Sequence, residues 1–124
     1  FAQQNGVDPK AVLPILQTGS ASSRALELLA PRALDGNFQP GFMVEHFRKD
    51  LGIALTIAED EELTLPGVET AYALYDLLAI IGGGRLGTQS VFLAYQDEEA
   101  SAAQGLDWSR IEEDPEEVDE HNHV

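Results

Sequence analysis

The chain has 124 residues, 44% of them hydrophobic and 7% aromatic, with no cysteine and a net charge of −15. That length allows one domain with a real core and is short for two, and the missing cysteine excludes disulfides, thiolate metal sites and a thiol nucleophile. No apolar run approaches the ~20 residues of a membrane-spanning helix, and an acidic balance without a basic stripe disfavours nucleic acid and anionic membranes as partners.

The charge is uneven: residues 97–124 hold 11 acidic side chains against Arg110, whereas residues 1–96 hold 11 acidic and six basic ones. The opening FAQQNG has no Met and no basic segment leading into an apolar one, which suggests a fragment or processed chain rather than a signal peptide. A cytoplasmic location is the expectation.

In chain order, DPKAVLPILQTG begins with Asp8 as N-cap and Pro9 at the first helical position, and ends on Gly19. Pro14 removes a backbone donor inside this short helix and should kink it. In SASSRALELLAPRAL, Ser caps precede Leu26, Leu29 and Leu34 in helical rhythm, which Pro31 bends or interrupts. DGNFQPG is a turn. From Phe42 to about Glu61 runs the longest periodic segment, with Val44, Phe47, Leu51, Ala54, Leu55 and Ala58 on one stripe. A second stripe, nearly opposite, holds Phe42, His46, Lys49, Ile53 and Ile57. Such a two-sided helix is either central or meets another domain or subunit on its second face.

LPGVETAYALYDLLAIIGGG restarts near Pro66, presents Val68, Ala71, Tyr72, Tyr75, Leu78 and Ala79, and stops on three glycines. GTQSVFLAYQDEEASAA follows, with Thr88 as cap and Val91, Phe92 and Tyr95 as a short apolar face. Without period-2 alternation or a hairpin signal, the reading is all-α, a compact bundle of about five helices over residues 1–96. The acidic extension 97–124 is expected to be largely disordered, with local docking open to Leu106 and Trp108.

Most candidate chemistry yields to a plainer reading. His121 and His123 with Asp119 or Glu120 are suitable metal ligands, but an acidic tail offers no preorganised geometry and no metal site is assigned. EDEE, residues 59–62, lacks the spaced ligands of a calcium loop and reads as a charged helix end. GGGRLG, residues 82–87, has neither a preceding strand nor a following Lys-Ser or Lys-Thr, so it reads as a helix stop and flexible connection rather than a phosphate loop. With two of three histidines in the tail, no Ser-His-Asp arrangement can be built. Lys49 is more informative, because lysine is rarely buried unless paired. Either its stem snorkels and its ammonium meets Asp50 or Glu45, or Lys49 and Phe42 line one wall of a ligand site.

KDLGIALTIA, residues 49–58, resembles the KDLGxAxxxA pattern of the β-hydroxyacid dehydrogenases, the family of 3-hydroxyisobutyrate dehydrogenase and 2-hydroxy-3-oxopropionate reductase. Supporting stretches appear in family order: GVDPKAVLPILQTGSASS, APRALDGNFQPGF, LPGVETAYALYDLL and LGTQSVFLAY, covering about residues 3–95. The chain departs at GTQS, where relatives often carry a longer segment with Asp or His, and in the acidic extension after Gln96.

The resemblance implies a helical domain like the C-terminal domain of 6-phosphogluconate dehydrogenase, following an N-terminal Rossmann domain in an NAD(P)-dependent enzyme for a small 3-hydroxy acid or its semialdehyde. In that family the KDL lysine reaches the nicotinamide cofactor and the Phe of a preceding Gly-Phe packs near it. Carried over, the cofactor-binding residues are Lys49 and Phe42, with Asp50 orienting the lysine or capping the interdomain contact. The same resemblance implies a homo-oligomer, a dimer at least. The family's GxGxxG fingerprint and its catalytic-lysine segment GxxGxGxxxKxxN do not occur in these residues, so no catalytic residue is assigned, no cofactor is expected to bind this chain alone, and alone it should not catalyse. The alternative is a non-catalytic helical dimerisation or interaction module with an acidic tail.

Overall fold

The computed structural model of the protein describes residues 1–111. Among them there is no strand, only an isolated antiparallel bridge between Met43 and Gly87. The helices are α1 Pro9–Gln17, α2 Arg24–Leu28, α3 Ala30–Leu34, α4 Val44–Asp60, α5 Pro66–Leu78 and α6 Glu98–Ala102. The all-helical reading holds, but the chain divides into two compact units, residues 1–39 and the chain from Pro40, where the sequence suggested a single folded unit. The boundary falls within DGNFQPG, between Gln39 and Pro40.

In the first unit, Asp8 accepts from Lys10 N–H at 2.9 Å and caps α1. α1 continues through Pro14, and Thr18 closes it by donating from its hydroxyl to the Pro14 and Ile15 carbonyls. Ser23 caps α2 through Leu26 N–H. The expected interruption lies before Pro31, which occupies the first turn of α3, where a missing N–H costs nothing. Gly36, at φ 71°, then ends α3, and Asn37 N–H returns to the Arg32 carbonyl at 2.8 Å.

The second unit is built on α4 against α5, with Val44, Ala58, Leu78, Ile81, Leu93 and Leu106 buried. Phe47 meets Tyr75 edge to face with centroids 4.9 Å apart, and Gly52 faces the Tyr72 ring, which stands 3.4 Å from where a Cβ would be. α4 has no side-chain cap. Its first N–H groups are satisfied by the connection after α5: Val44 N–H donates to the Leu86 carbonyl at 2.9 Å and Glu45 N–H to the Gly84 carbonyl at 2.8 Å. GGGRLG is therefore a structural splice, whose carbonyls face a helix start.

α5 ends in a π-type turn, Ala79–Gly83, in which Gly82 takes φ 107°. Gly83 is required for a different reason: a Cβ there would lie 2.9 Å from both Leu78 Cγ and the Leu78 carbonyl oxygen. The next segment, Thr88–Tyr95, is a 3-10 run rather than an α-helix, and Thr88 is not its cap. Thr88 N–H donates to the Phe42 carbonyl at 3.0 Å, and the Thr88 carbonyl, which would begin an α-helical ladder, accepts from Tyr75 Oη at 2.9 Å.

Of the extension from residue 97, the described part is structured. Asp97 caps α6 through Ala100 N–H at 2.8 Å, Leu106 is buried, and Trp108 Nε1 donates to the buried Ser101 Oγ at 2.6 Å. Charge density argued for disorder here, but two apolar side chains and one buried hydroxyl suffice to dock residues 97–111. The acidic run from residue 112, with His121 and His123, lies outside the described residues.

Replacing Gly83 with alanine should destabilise the protein by about 1–3 kcal/mol, because its Cβ meets backbone and a buried leucine rather than a flexible side-chain end. In calorimetry that is a fall in Tm of roughly 5 °C or more; an unchanged Tm contradicts the packing. Burial pushes the Tyr75 phenol above its ordinary value. The unfolded phenol ionises near ~10, so the stability Tyr75 contributes is complete below that pH and is lost as pH rises through the folded value. Tyr75→Phe should cost about 1 kcal/mol at neutral pH, and the gap from the parent should narrow above about pH 10.

Candidate functional site

The sequence-assigned residues lie at the start and on the outer face of α4. Phe42 immediately precedes the helix and is fixed there by its backbone carbonyl, which accepts from Thr88 N–H. Its ring lies 6.2 Å from that of His46 and 6.1 Å from that of Phe47, centroid to centroid. Lys49 follows two turns later. The second stripe is uncovered: Phe42, Ile53 and Ile57 are 45%, 51% and 52% exposed. The main stripe is turned inward as expected except for Ala54, which sits at its edge and is exposed.

The sequence left Lys49 either paired or facing a ligand. Among the described residues it forms no ion pair. Glu45 instead approaches His46, Oε1 to Nε2 at 4.0 Å, because this first-turn side chain packs over Gly84 of the capping loop. Asp50 is also exposed and unpaired among these residues. One 100° step separates it from Lys49 on the helix, so it does not orient the ammonium by a direct contact.

The neighbouring cation behaves differently. Arg48 Nε lies 2.6 Å from Asp76 Oδ1, and its guanidinium carbon is 5.9 Å from the centroid of the Tyr72 ring. Burial alone would lower the Arg48 guanidinium, but the hydrogen bond and charge of Asp76 outweigh it and hold it above its ordinary value. Sequence reasoning missed this pair. The available signal was Asp76, an acid one residue beyond Tyr75 on a helix otherwise without charge over its last two turns.

With Arg48 committed to α5, Lys49 borders a groove of about 550 Å³ with Gly52, Ile53, Thr56, Ile57 and Tyr72. Glu59 also lines it. Phe42 and Asp50 are not among its lining residues, so the three assigned residues, one just before α4 and two within it, do not share one pocket. The groove offers an apolar floor, one aromatic ring, the Lys49 ammonium and, ten residues along the helix from it, the Glu59 carboxylate. That suits a flat, partly apolar group carrying an electron-rich or anionic substituent. It holds no second cation to take a pyrophosphate, and no metal-binding group of three or more His, Asp or Glu occurs among the described residues.

Residues 1–95 match the family model for the NAD-binding domain of NADP-dependent 3-hydroxyisobutyrate dehydrogenase. Over 92 residues the chain is 50% identical to an uncharacterised oxidoreductase of Bacillus subtilis (strain 168), covering 74% of this chain and 32% of the relative. It is 43% identical over 96 residues to a probable mitochondrial 3-hydroxyisobutyrate dehydrogenase-like protein of Arabidopsis thaliana, covering 77% and 29%. The 2-hydroxy-3-oxopropionate reductase of Escherichia coli (strain K12) is 40% identical over 86 residues, covering 69% and 30%. A 3-hydroxyisobutyrate dehydrogenase structure from Salmonella typhimurium superposes with a TM-score of 0.72 at 22% identity, covering 76% of this chain and 33% of that one, and shows the same fold. The helical architecture and the matched residues show that the chain belongs to the β-hydroxyacid dehydrogenase family. It spans about a third of the length of these relatives.

The two adjacent cations should separate in stability measurements. Arg48→Ala should cost about 1 kcal/mol, the pair being only partly buried and screened by solvent, whereas Lys49→Ala should fall within about 0.5 kcal/mol of the parent. Equal losses in chemical denaturation would show that Lys49 is also spent on the fold.

Proposed function

We propose that this chain is the helical domain of an NAD(P)-dependent oxidoreductase acting on a small 3-hydroxy acid or its semialdehyde. An N-terminal Rossmann domain would complete the enzyme, and the helical domain would supply the wall that closes over the cofactor. The observation that carries this reading is the contrast on α4: Arg48 is bound to Asp76 while Lys49, next to it, keeps its ammonium for something outside the described residues. Its surroundings fit the nicotinamide end of a dinucleotide, a flat ring with an amide, and do not fit the pyrophosphate.

The dinucleotide supplies hydride transfer when bound. This chain's contribution is to present the Lys49 ammonium as a donor and positive charge, to offer the Phe42 ring as an apolar surface, and to exclude water with Ile53 and Ile57. Asp50, without a partner on its own helix, serves the contact with the dinucleotide domain. The chain alone is inactive on this reading, since no general acid has been assigned within it. The enzyme is further read as a cytoplasmic homodimer. No described helix is long and apolar enough to cross a membrane, and exposed Ile15, Leu28, Leu63 and Tyr95 remain as apolar surface for subunit contacts.

In the polypeptide that includes the dinucleotide domain, Lys49→Ala should lower turnover or cofactor affinity by about tenfold or more, the loss of at least one charge-assisted contact. Steady-state kinetics with NADH and NADPH check it. Kinetics matching the parent would remove Lys49 from the site.

A further inference from the structure

Residues 97–111 lie beyond the stretch matched to the family model, and they are folded onto the base of the capping loop. Asp107 N–H donates to the Ile81 carbonyl at 2.9 Å, inside the turn that ends α5. The Arg110 guanidinium lies over Gly82, with Nη1 3.1 Å from where a Cβ would stand. Leu106 is buried, and Trp108 Nε1 holds the Ser101 hydroxyl at 2.6 Å, which in turn donates to the Asp97 carbonyl at 2.9 Å and locks α6. Gly82 and Gly83 lead directly into Gly84 and Leu86, whose carbonyls take the first N–H groups of α4, and into Thr88, which holds the Phe42 carbonyl.

We propose that residues 97–111 form a clasp that positions the start of α4, with Trp108 and Arg110 as positioning residues for Phe42. The physical reason is that the capping loop is poor in side chains of its own. Three consecutive glycines give it the close approaches it needs but no packing to hold them, and glycine carries the largest conformational entropy into the unfolded state. The clasp supplies what the glycines cannot: a hydrogen bond to the turn that follows α5, a planar cation over Gly82 and an apolar anchor at Leu106. Loosening it frees the Gly84 and Leu86 carbonyls, and the first turn of α4 frays with Phe42 attached. The consequence for a cofactor rests on the function proposed above; the clasp itself does not.

Amide hydrogen exchange on the full 124-residue chain tests it. In Trp108→Ala and, separately, in the milder Arg110→Ala, the Val44, Glu45 and Thr88 amides should lose protection by about tenfold or more, while mid-helix amides of α4 and α5 such as Leu55 and Leu74 stay within about threefold. Trp108→Phe, which keeps the ring but not the donor, should fall between parent and alanine. A uniform loss of protection at all sites would reduce the segment to a general stabiliser and overturn the proposal, and so would unchanged exchange at Val44, Glu45 and Thr88. Because no cofactor is present, the result is independent of Lys49: normal kinetics in Lys49→Ala with a positive exchange result would sink the cofactor wall and leave the clasp.

Discussion

The start of α4 is the point on which the second unit turns. A helix leaves its first four N–H groups without partners, and α4 has no Ser, Thr, Asp or Asn to take them, with Met43 at the cap position. Two carbonyls of the loop after α5 do so instead. That splice fixes the register of the chain around Phe42, brings α5 back alongside α4 and requires the glycine turn. Each of these in turn sets what faces outward on α4.

The outward face follows from how the two helices share their polar groups. α5 contributes Tyr72, Tyr75 and Asp76 at spacings of three and four residues, so they form one edge toward α4. Phe47, Arg48 and Gly52 meet that edge. Once Arg48 is used, the next residue lies 100° further round the helix and beyond reach of α5. Lys49 is exposed for that geometric reason, and with it the apolar Ile53 and Ile57. An uncovered apolar stripe bearing an unpaired cation contributes nothing to this unit's core, which is why a function outside the unit is the economical account of it.

Much of this was legible in the sequence. Period 3.6 located α4 and α5 and separated the stripes of α4, because both faces carry large aliphatic residues whose spacing survives without tertiary context. Caps at Asp8 and Ser23 were legible because they act over two or three residues. The ordered set of family-like stretches supplied Phe42, Lys49 and Asp50, but neither their separation over different parts of α4 nor the lack of a Lys49–Asp50 contact. Long-range partners were hidden: Arg48 with Asp76, Tyr75 with Thr88, and the carbonyl capping of α4 join residues 13 to 42 positions apart, and no local pattern encodes such pairings. GGGRLG looked like a stop and a flexible link because its role lies in its carbonyls, which every residue has. After Gln96 the acidic composition pointed to disorder, and only Leu106 and Trp108 stood out as residues able to dock; their partners, the α5-end turn and Ser101, were not legible.

The central claim is that the Lys49 face of α4 closes over the nicotinamide end of a dinucleotide. A crystal structure of the polypeptide that includes the dinucleotide domain, grown with NAD(H) or NADP(H), tests it most directly. Lys49 Nζ should lie within hydrogen-bond reach of the nicotinamide or its ribose, about 3 Å, with the Phe42 ring against the same end and Ile53 covered by the neighbouring domain. A cofactor bound with its nicotinamide away from α4, or this face buried against a second copy of the chain, would contradict it.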